Sequence, residues 1–497
     1  MTESPRSEAV ELIGRFLVEE LTAPIDRSRP VVRLAGLDEL GSAFDASVGF
    51  DLKEGEGAHS DEDLLAAVRT VIDHSVQTRH PRFVNQNWAG ADDIGIVGDW
   101  LGALLNTTNA TFEVAPVFTA IEDVVLRRLA DFASYPTDTE IPPGIFAPGG
   151  STSILYGLQL GRHAHDPATK QQGSDGRLAI LASAASHYAT VKSAVLLGLG
   201  TDAVYRVPVD PEGAMQPDEV VGVLTQARAD GRTPYALVAT AGTTTTSAFD
   251  PIDQLAPICR AEGLWLHVDG SYGGSALFSR THRSRLAGIE HSDSFTWNLH
   301  KMAGITQQCS ALLVRRPELL EECFGTGASY IFQPDKLHAE LDTGDRTFQC
   351  GRRPDALKLW LAWKSMGDAA LEQRIDHAVD LADRARALIA DSDGEFHAVV
   401  PGTFTNVCCT WVPPELRPLD ITALNAADRE RLHQLAPVTK RRLQAEGSAM
   451  IGYQPVDGVN CFRLIFMNPE VTTDDVDDLL GLLAHHGPHA WAELAAS

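Results

Sequence analysis

Between about residue 140 and residue 320, short apolar runs alternate with stretches long enough for amphipathic helices. The runs GIFAP, LAILAS, YALVAT, LWLHVD, SFTW and CSALLV are rich in apolar or β-branched residues and predict strands. Their alternation with helical segments predicts a mostly parallel sheet wrapped by helices. Farther on, Leu371, Ile375, Ala378, Ala382, Ala385 and Ile389 step by three or four residues and mark one buried face of a long helix. Strands in FTNVCCTWV and FRLIF follow, then the helix TTDDVDDLLGLLAHHG. Asp474, Asp475, Asp477 and Asp478 suit its positive end, and Gly487–Pro488 is expected to stop it. This second pattern predicts a smaller α/β domain. Near the start, DLKEGEGAHS reads as a linker after a helical arm, and Ser60 with Asp63 as a cap opening the next helix. The expected division is an arm at 1–75, a large domain at 76–365 and a small one at 366–497.

Composition narrows the partners. A formal charge of −26, from 41 basic and 67 acidic residues, argues against nucleic acid or an anionic membrane surface. It leaves a small-molecule substrate open. No run of about 18 apolar residues predicts a membrane span, and MTESPRSEAV lacks the pattern of a signal peptide. Seven cysteines without CxxC spacing suit a reducing, cytoplasmic setting better than disulfides or zinc.

In open α/β sheets ligands gather at the carboxyl ends of strands, so the residues just after each strand carry the candidate chemistry. After GIFAP comes Gly149 to Ser153, GGSTS, whose backbone N–H groups and hydroxyls could cradle a phosphate at a helix start. Taken alone, it fits a tight turn equally well. Asp269 follows LWLHV and could hold a cationic ring nitrogen. No cluster at ligand spacing supports a metal there, and a turn role fits too. His187, after LAILAS, could stack on a planar ligand or be simply solvated. Lys301 lies in SFTWNLHKMAG, a stretch too apolar for a solvated face. Desolvation would make its amine a nucleophile, unless the side chain snorkels to water. Together the four are what pyridoxal phosphate requires: a cradle, a ring-nitrogen partner, a stacking group and a lysine for a Schiff base.

The stretch HVDGSYGG…DSFTWNLHKMAGITQQCSALLV closely resembles the group II pyridoxal-phosphate-dependent amino-acid decarboxylases, in their glutamate and cysteine-sulfinate branch. PRFVNQNWAGAD, TFEVAPVFTAIE, ATAGTTTTSAFDPI, YIFQPDK, DTGDRTFQCGRRPD and FRLIFMNP extend the resemblance over roughly residues 60–490. It implies an α/β enzyme of fold type I, aspartate-aminotransferase-like, with a mostly parallel seven-stranded sheet in the large domain and a small C-terminal α/β domain. It also implies a homodimer with shared active sites. Lys301 would carry pyridoxal 5'-phosphate, Asp269 would pair with the ring nitrogen, His187 would stack on the ring and Thr244 would approach its hydroxyl. Ser151, Thr152, Asn298 and His300 would hold the phosphate. Gln86 and Arg463 would contact an amino-acid substrate.

The departures from that family concern the reaction rather than the cofactor. Relatives carry a tyrosine on a loop covering the neighbouring subunit's site, where it protonates Cα after CO2 loss. Between Lys336 and Asp342 this chain has none, and His338 aligns nearest to it. A histidine donor would give an amine; loss of the donor opens oxidation to an aldehyde, ammonia and CO2; a third outcome is β-elimination from an S-substituted cysteine. A paralogue that keeps the cofactor without catalysis is disfavoured by the retained Lys301, Asp269 and His187. Trp88 stands where relatives have serine or phenylalanine and would remodel the side-chain pocket, which argues against plain glutamate. Gly270 and Ser271 replace two alanines, and Ser271 would lie against the ring opposite His187.

Overall fold

The computed structural model describes residues 6–54, 57–328, 335–402 and 404–496. Tyr330 to Pro334 of the YIFQPDK stretch lie outside them. Twelve strands, numbered along the described chain, form two sheets: β1 (Phe83–Val84), β2 (Gly144–Ala147), β3 (Leu178–Ser183), β4 (Val204–Val207), β5 (Thr233–Thr240), β6 (Trp265–Asp269), β7 (Ser294–Asn298), β8 (Ser310–Val314), β9 (Phe396–Ala398), β10 (Asn406–Trp411), β11 (Met450–Val456) and β12 (Val459–Ile465). The large sheet has seven strands in the order β2-β8-β7-β6-β5-β3-β4. The pairs β3–β4, β3–β5, β5–β6 and β6–β7 are parallel, and only β8 runs against its neighbours. The mostly parallel seven-stranded α/β sheet of a fold type I enzyme is therefore present.

The strands form because their residues are buried on both faces. β3, β6, β7 and β8 are buried at every position, as continuous apolar runs between helices demand. The second sheet, β1-β11-β12-β10-β9, has its own core around Trp411, Phe462 and Leu479. It draws β1 from far upstream, where Phe83 pairs with Met450 and Val84 with Ile451. The helix Asp355–Ala390 joins the two bodies and is broken at Gly367, whose φ of 74° no side-chain-bearing residue adopts comfortably. Ser60 caps its helix as expected, in a reciprocal box with Asp63.

One expected boundary fails. The last helix continues from Thr473 through Pro488 to Ala496. The proline forfeits one backbone bond, but the turns beyond it are held from outside. Trp491 donates its indole N–H to Glu415 at 2.6 Å and lies under the Arg431 guanidinium, whose carbon is 3.6 Å from the ring centroid. Gly487 lets this segment pass Trp411, since a Cβ there would come within 2.4 Å of the ring. Tertiary anchoring overrides the local stop signal.

One buried ion pair fixes the floor beneath the site. Glu122 accepts from Arg352 at 2.7 Å, from the Asn109 carboxamide at 2.5 Å and from the Phe146 N–H of β2 at 3.0 Å. Arg352 also donates to the carbonyls of Phe146 and Asn109 at 2.8 and 2.7 Å. The segment that follows the 335–341 loop is thereby tied to the strand whose end opens the phosphate candidate. No described helix is long and apolar enough to cross a membrane.

Candidate active site

A cavity of about 330 Å³ opens at the carboxyl ends of β2, β3, β5, β6 and β7 and reaches the small sheet at Arg463 of β12. Every site residue expected from the sequence lines it except Thr152 and His338. The long-range folding of the chain thus gathers Gln86, Trp88, Ser151, His187, Thr244, Asp269, Ser271, Asn298, His300, Lys301 and Arg463 around one space.

The floor is rigid. Asp269 ends β6, is 4% exposed, and accepts the Ser271 N–H at 3.0 Å. Gly270 lets the chain turn there, because a Cβ would lie 2.2 Å from the Phe295 ring. Asn298 ends β7, and its Oδ1 accepts from Ser310 Oγ at 2.7 Å. Lys301 directly follows His300, in a turn closed by its N–H to the Asn298 carbonyl at 3.1 Å. Burial lowers its amine below the usual range, and the nearby Asp269 pulls partly the other way. Burial likewise pushes His300 down to about 4, with Nδ1 2.8 Å from the Cys309 carbonyl oxygen. His187 sits in the turn after β3, its ring centroid 4.0 Å from that of Tyr188, and is also lowered by burial.

The cradle between these ends suits an anion. Gly149, at φ 96°, starts the helix Gly150–His165, and Ser151 occupies its first turn. A Cβ on Gly150 would come within 2.6 Å of both Asn298 Nδ2 and Ser271 Oγ, so the backbone must approach these donors bare. The positive end of a 16-residue helix adds its dipole to that spot. Thr240 Oγ1, paired across the sheet with Asp269, is buried in the same wall without a partner. A lysine with a desolvated amine, a buried carboxylate and this cradle fit pyridoxal phosphate. Thr152 belongs to the same helix turn, but the cavity wall there is made by Gly150 and Ser151.

On the side facing the small sheet, Arg463 donates to the Thr244 carbonyl at 3.2 Å, Gln454 Oε1 at 2.8 Å and the Asn85 carbonyl at 3.2 Å. Trp88 packs on Phe83, ring centroids 5.5 Å apart. Asn87, Tyr188, Thr240, Gly242 and Gln307 also line the cavity and escape the sequence reading. Adjacency to Gln86 and His187 was the only signal for the first two. His338 lies elsewhere: it is half-exposed in left-handed backbone at φ 53°, with Nδ1 2.9 Å from Glu340 and its ring edge-on to Phe112 at 4.8 Å.

The geometry agrees with the chain's relatives. The Pyridoxal-dependent decarboxylase conserved domain matches residues 47–412. Cysteine sulfinic acid decarboxylase of Rattus norvegicus is 44% identical over 443 residues, covering 88% of each chain. Acidic amino acid decarboxylase GADL1 of Bos taurus is 42% identical over 435 residues, covering 86% of this chain and 82% of its own. The crystal structure of mouse CSAD superposes with a TM-score of 0.89 at 40% identity, over 97% of this chain and 98% of that one. This chain belongs to the pyridoxal-dependent decarboxylases, lyases that use pyridoxal 5'-phosphate to act on amino acids.

Proposed function

We propose that the enzyme removes the α-carboxylate of an L-amino acid other than plain glutamate, and that it then releases an aldehyde rather than an amine. The substrate side rests on the relatives' substrates and on Trp88, whose indole takes space beside Gln86 at the cavity wall. Bound pyridoxal phosphate supplies an electron sink for the pair set free when the Cα–carboxylate bond breaks. In this reading Lys301 anchors the cofactor through its desolvated amine, and Asp269 keeps a proton on the ring nitrogen. His187 and Ser271 enclose the ring from opposite faces. Ser151, Thr152, Asn298, His300 and the helix start hold the phosphate, and Thr244 approaches the ring hydroxyl. Gln86, Trp88 and Arg463 orient the substrate.

The observation that carries the aldehyde reading is the loop. From Lys336 to Asp342 it offers no tyrosine, and the imidazole nearest that place is tied to Glu340. Without a proton delivered to Cα, the electron pair there is open to dioxygen. The reaction balances as amino acid, O2 and water giving aldehyde, CO2, ammonia and hydrogen peroxide. A second reading follows from the same contact. Glu340 could hold His338 as a proton donor, which would give the amine. An oxygen electrode separates them: uptake stoichiometric with CO2 supports the aldehyde, and CO2 release without uptake refutes it. Substrate loss without CO2 would indicate β-elimination instead.

In this proposal the loop serves the site of a second copy, so a homodimer is part of it. Its support is the helix Asp93–Leu105, which exposes Val97, Trp100, Leu104 and Leu105 along one side, Leu104 to 80%. A monomer rarely leaves such a face to water. Division into parts at 1–75, 76–365 and 366–497 is proposed likewise, on the break at Gly367, and a cytoplasmic location on the cysteine pattern.

A further inference from the structure

The chain that leaves β5 carries Thr244 to the cavity wall and is held there by the small sheet. Asn406, the first residue of β10, is 1% exposed and does not line the cavity. Its carboxamide Nδ2 donates to the Thr244 and Thr245 carbonyls, each at 3.0 Å, and its Oδ1 accepts from the Tyr272 hydroxyl at 3.2 Å. Its backbone N–H donates to Ser247 Oγ at 3.2 Å. Both side-chain donors are thus used, and turning the amide over would set its oxygen against two carbonyls, so its orientation is fixed. Two successive carbonyls held by one amide fix the peptide planes on either side of Thr245, and with them the backbone that aims Thr244. Arg463 adds to the same anchor, donating to the Thr244 carbonyl at 3.2 Å, and the Gln454 amide donates to Thr245 Oγ1. Through Tyr272, which follows Asp269, Gly270 and Ser271, the Asn406 carboxamide also reaches the turn that ends β6. Two cavity-lining segments of the large sheet therefore meet at one buried side chain of the small one.

We propose that Asn406 is a positioning residue: from the small sheet it aims Thr244 at the ring hydroxyl of pyridoxal 5'-phosphate, so that cofactor affinity depends on a side chain that never touches the cofactor. This rests on reading Thr244 as the ring-hydroxyl contact. A threonine free to swing on its loop forfeits a hydrogen bond whose strength falls steeply with distance and angle. Three donor contacts from the small sheet to the Thr244 and Thr245 carbonyls remove that freedom.

The test dialyses the holoenzyme against graded concentrations of pyridoxal 5'-phosphate and reads occupancy from the visible band, with urea unfolding measured alongside. Thr244→Val weakens the cofactor about fivefold, the loss of one hydrogen bond. Asn406→Leu, which removes both donors, weakens it by a similar factor. Asn406→Asp keeps the shape and the acceptor for Tyr272 but turns an oxygen on the two carbonyls, and it does the same; either variant that folds suffices. The deciding measurement is the pair. Each Asn406 variant combined with Thr244→Val binds the cofactor no more weakly than the weaker single variant, because both changes remove the same hydrogen bond. Losses that instead multiply, to about 25-fold in the double variant, show that Asn406 does not act through Thr244 and overturn the proposal. Asn406 variants with a lower urea midpoint but undiminished affinity overturn it too, since a merely structural prop behaves that way. Undiminished affinity in Thr244→Val refutes the ring-hydroxyl placement on which the proposal stands, a result distinct from the other two.

Discussion

The strand-end wall and the 335–341 loop handle protons and charge in opposite ways. Asp269, Asn298, His300 and Lys301 are placed by β6, β7 and the turn after it; the first three are buried, Lys301 is half-buried with its amine desolvated, and backbone contacts hold the turn. His338 and Glu340 pair with each other at 2.9 Å on a half-exposed surface, where the imidazole side chain is 50% exposed and touches Phe112. Reactivity in the wall comes from desolvation, which the fold enforces. Any reactivity of the loop must come from what it touches when it covers a site. The comparison suggests why one family can keep a single cofactor chemistry while its outcomes vary: the wall is costly to alter and the loop is not.

The sharpest way to break this comparison is at Lys301. Lys301→Ala is expected to remove the visible absorption band of the cofactor-loaded protein and lower turnover by orders of magnitude, with the fold intact by circular dichroism. A surviving band would mean another amine carries the cofactor.

Next in size is Glu122→Gln, which removes one charge of the buried pair with Arg352. Breaking such a pair leaves an uncompensated buried charge and costs about 3–5 kcal/mol. Urea denaturation should show a loss of that order. A loss within error would mean that the wall does not depend on this anchor, and the contrast with the loop would weaken.

How far this contrast could be read from sequence differs between the two regions. The wall was legible: continuous apolar runs predicted β2, β3 and β5 to β8, and polar residues following β2, β3, β5, β6 and β7 proved to line one cavity. The reversed direction of β8 was not, because a run buried on both faces looks the same either way. β1 has two residues, Phe83–Val84, and exists by pairing with β11 across hundreds of positions. Nor could local signals place the helix past Pro488, held by Trp491 and Arg431. Asn87 was missed for a similar reason: an asparagine in a loop looks like turn chemistry until burial shows its amide unpaired. The loop showed its missing tyrosine in sequence, but no local pattern says what His338 touches.

Acid sensitivity should also follow the wall. Burial pushes His267 down to about 4, with Nδ1 2.8 Å from Ser294 Oγ, and His300 to the same value. A folded histidine that resists protonation contributes stability in full above the ordinary value near 6.5, and that stability is lost as pH falls toward 4. In that window each such group steepens the fall by about 1.4 kcal/mol per pH unit. Burial pushes Asp250 up to about 7, which works in the opposite sense but equally in wild type and variant. His267→Gln should therefore lower the slope of stability against pH by about that amount between pH 4 and 6.5. Parallel slopes would show that His267 takes a proton in the folded state without cost.

The smallest expected effect, and the one that bears most on function, is His338→Tyr. The wall is unchanged by it, so cofactor loading and the rate of CO2 release should stay within about twofold. What should move is the partition after CO2 loss. A phenol at the loop position offers Cα a proton, so amine should rise at the expense of aldehyde, with oxygen uptake per CO2 falling in step. A shift of severalfold needs only about 1 kcal/mol between the two competing steps, which an exposed loop residue can supply without touching stability. Mixing His338→Tyr with Lys301→Ala protomers tests the geometry as well. If the loop serves the neighbouring subunit, the hybrid's one competent site is covered by a loop from the lysine-less protomer, which still carries His338, and the product should remain aldehyde. If the loop serves its own chain, that site sees the new tyrosine and the product becomes amine. An unchanged ratio in the full His338→Tyr dimer would place the proton-delivering position elsewhere and leave this loop without a part in the outcome.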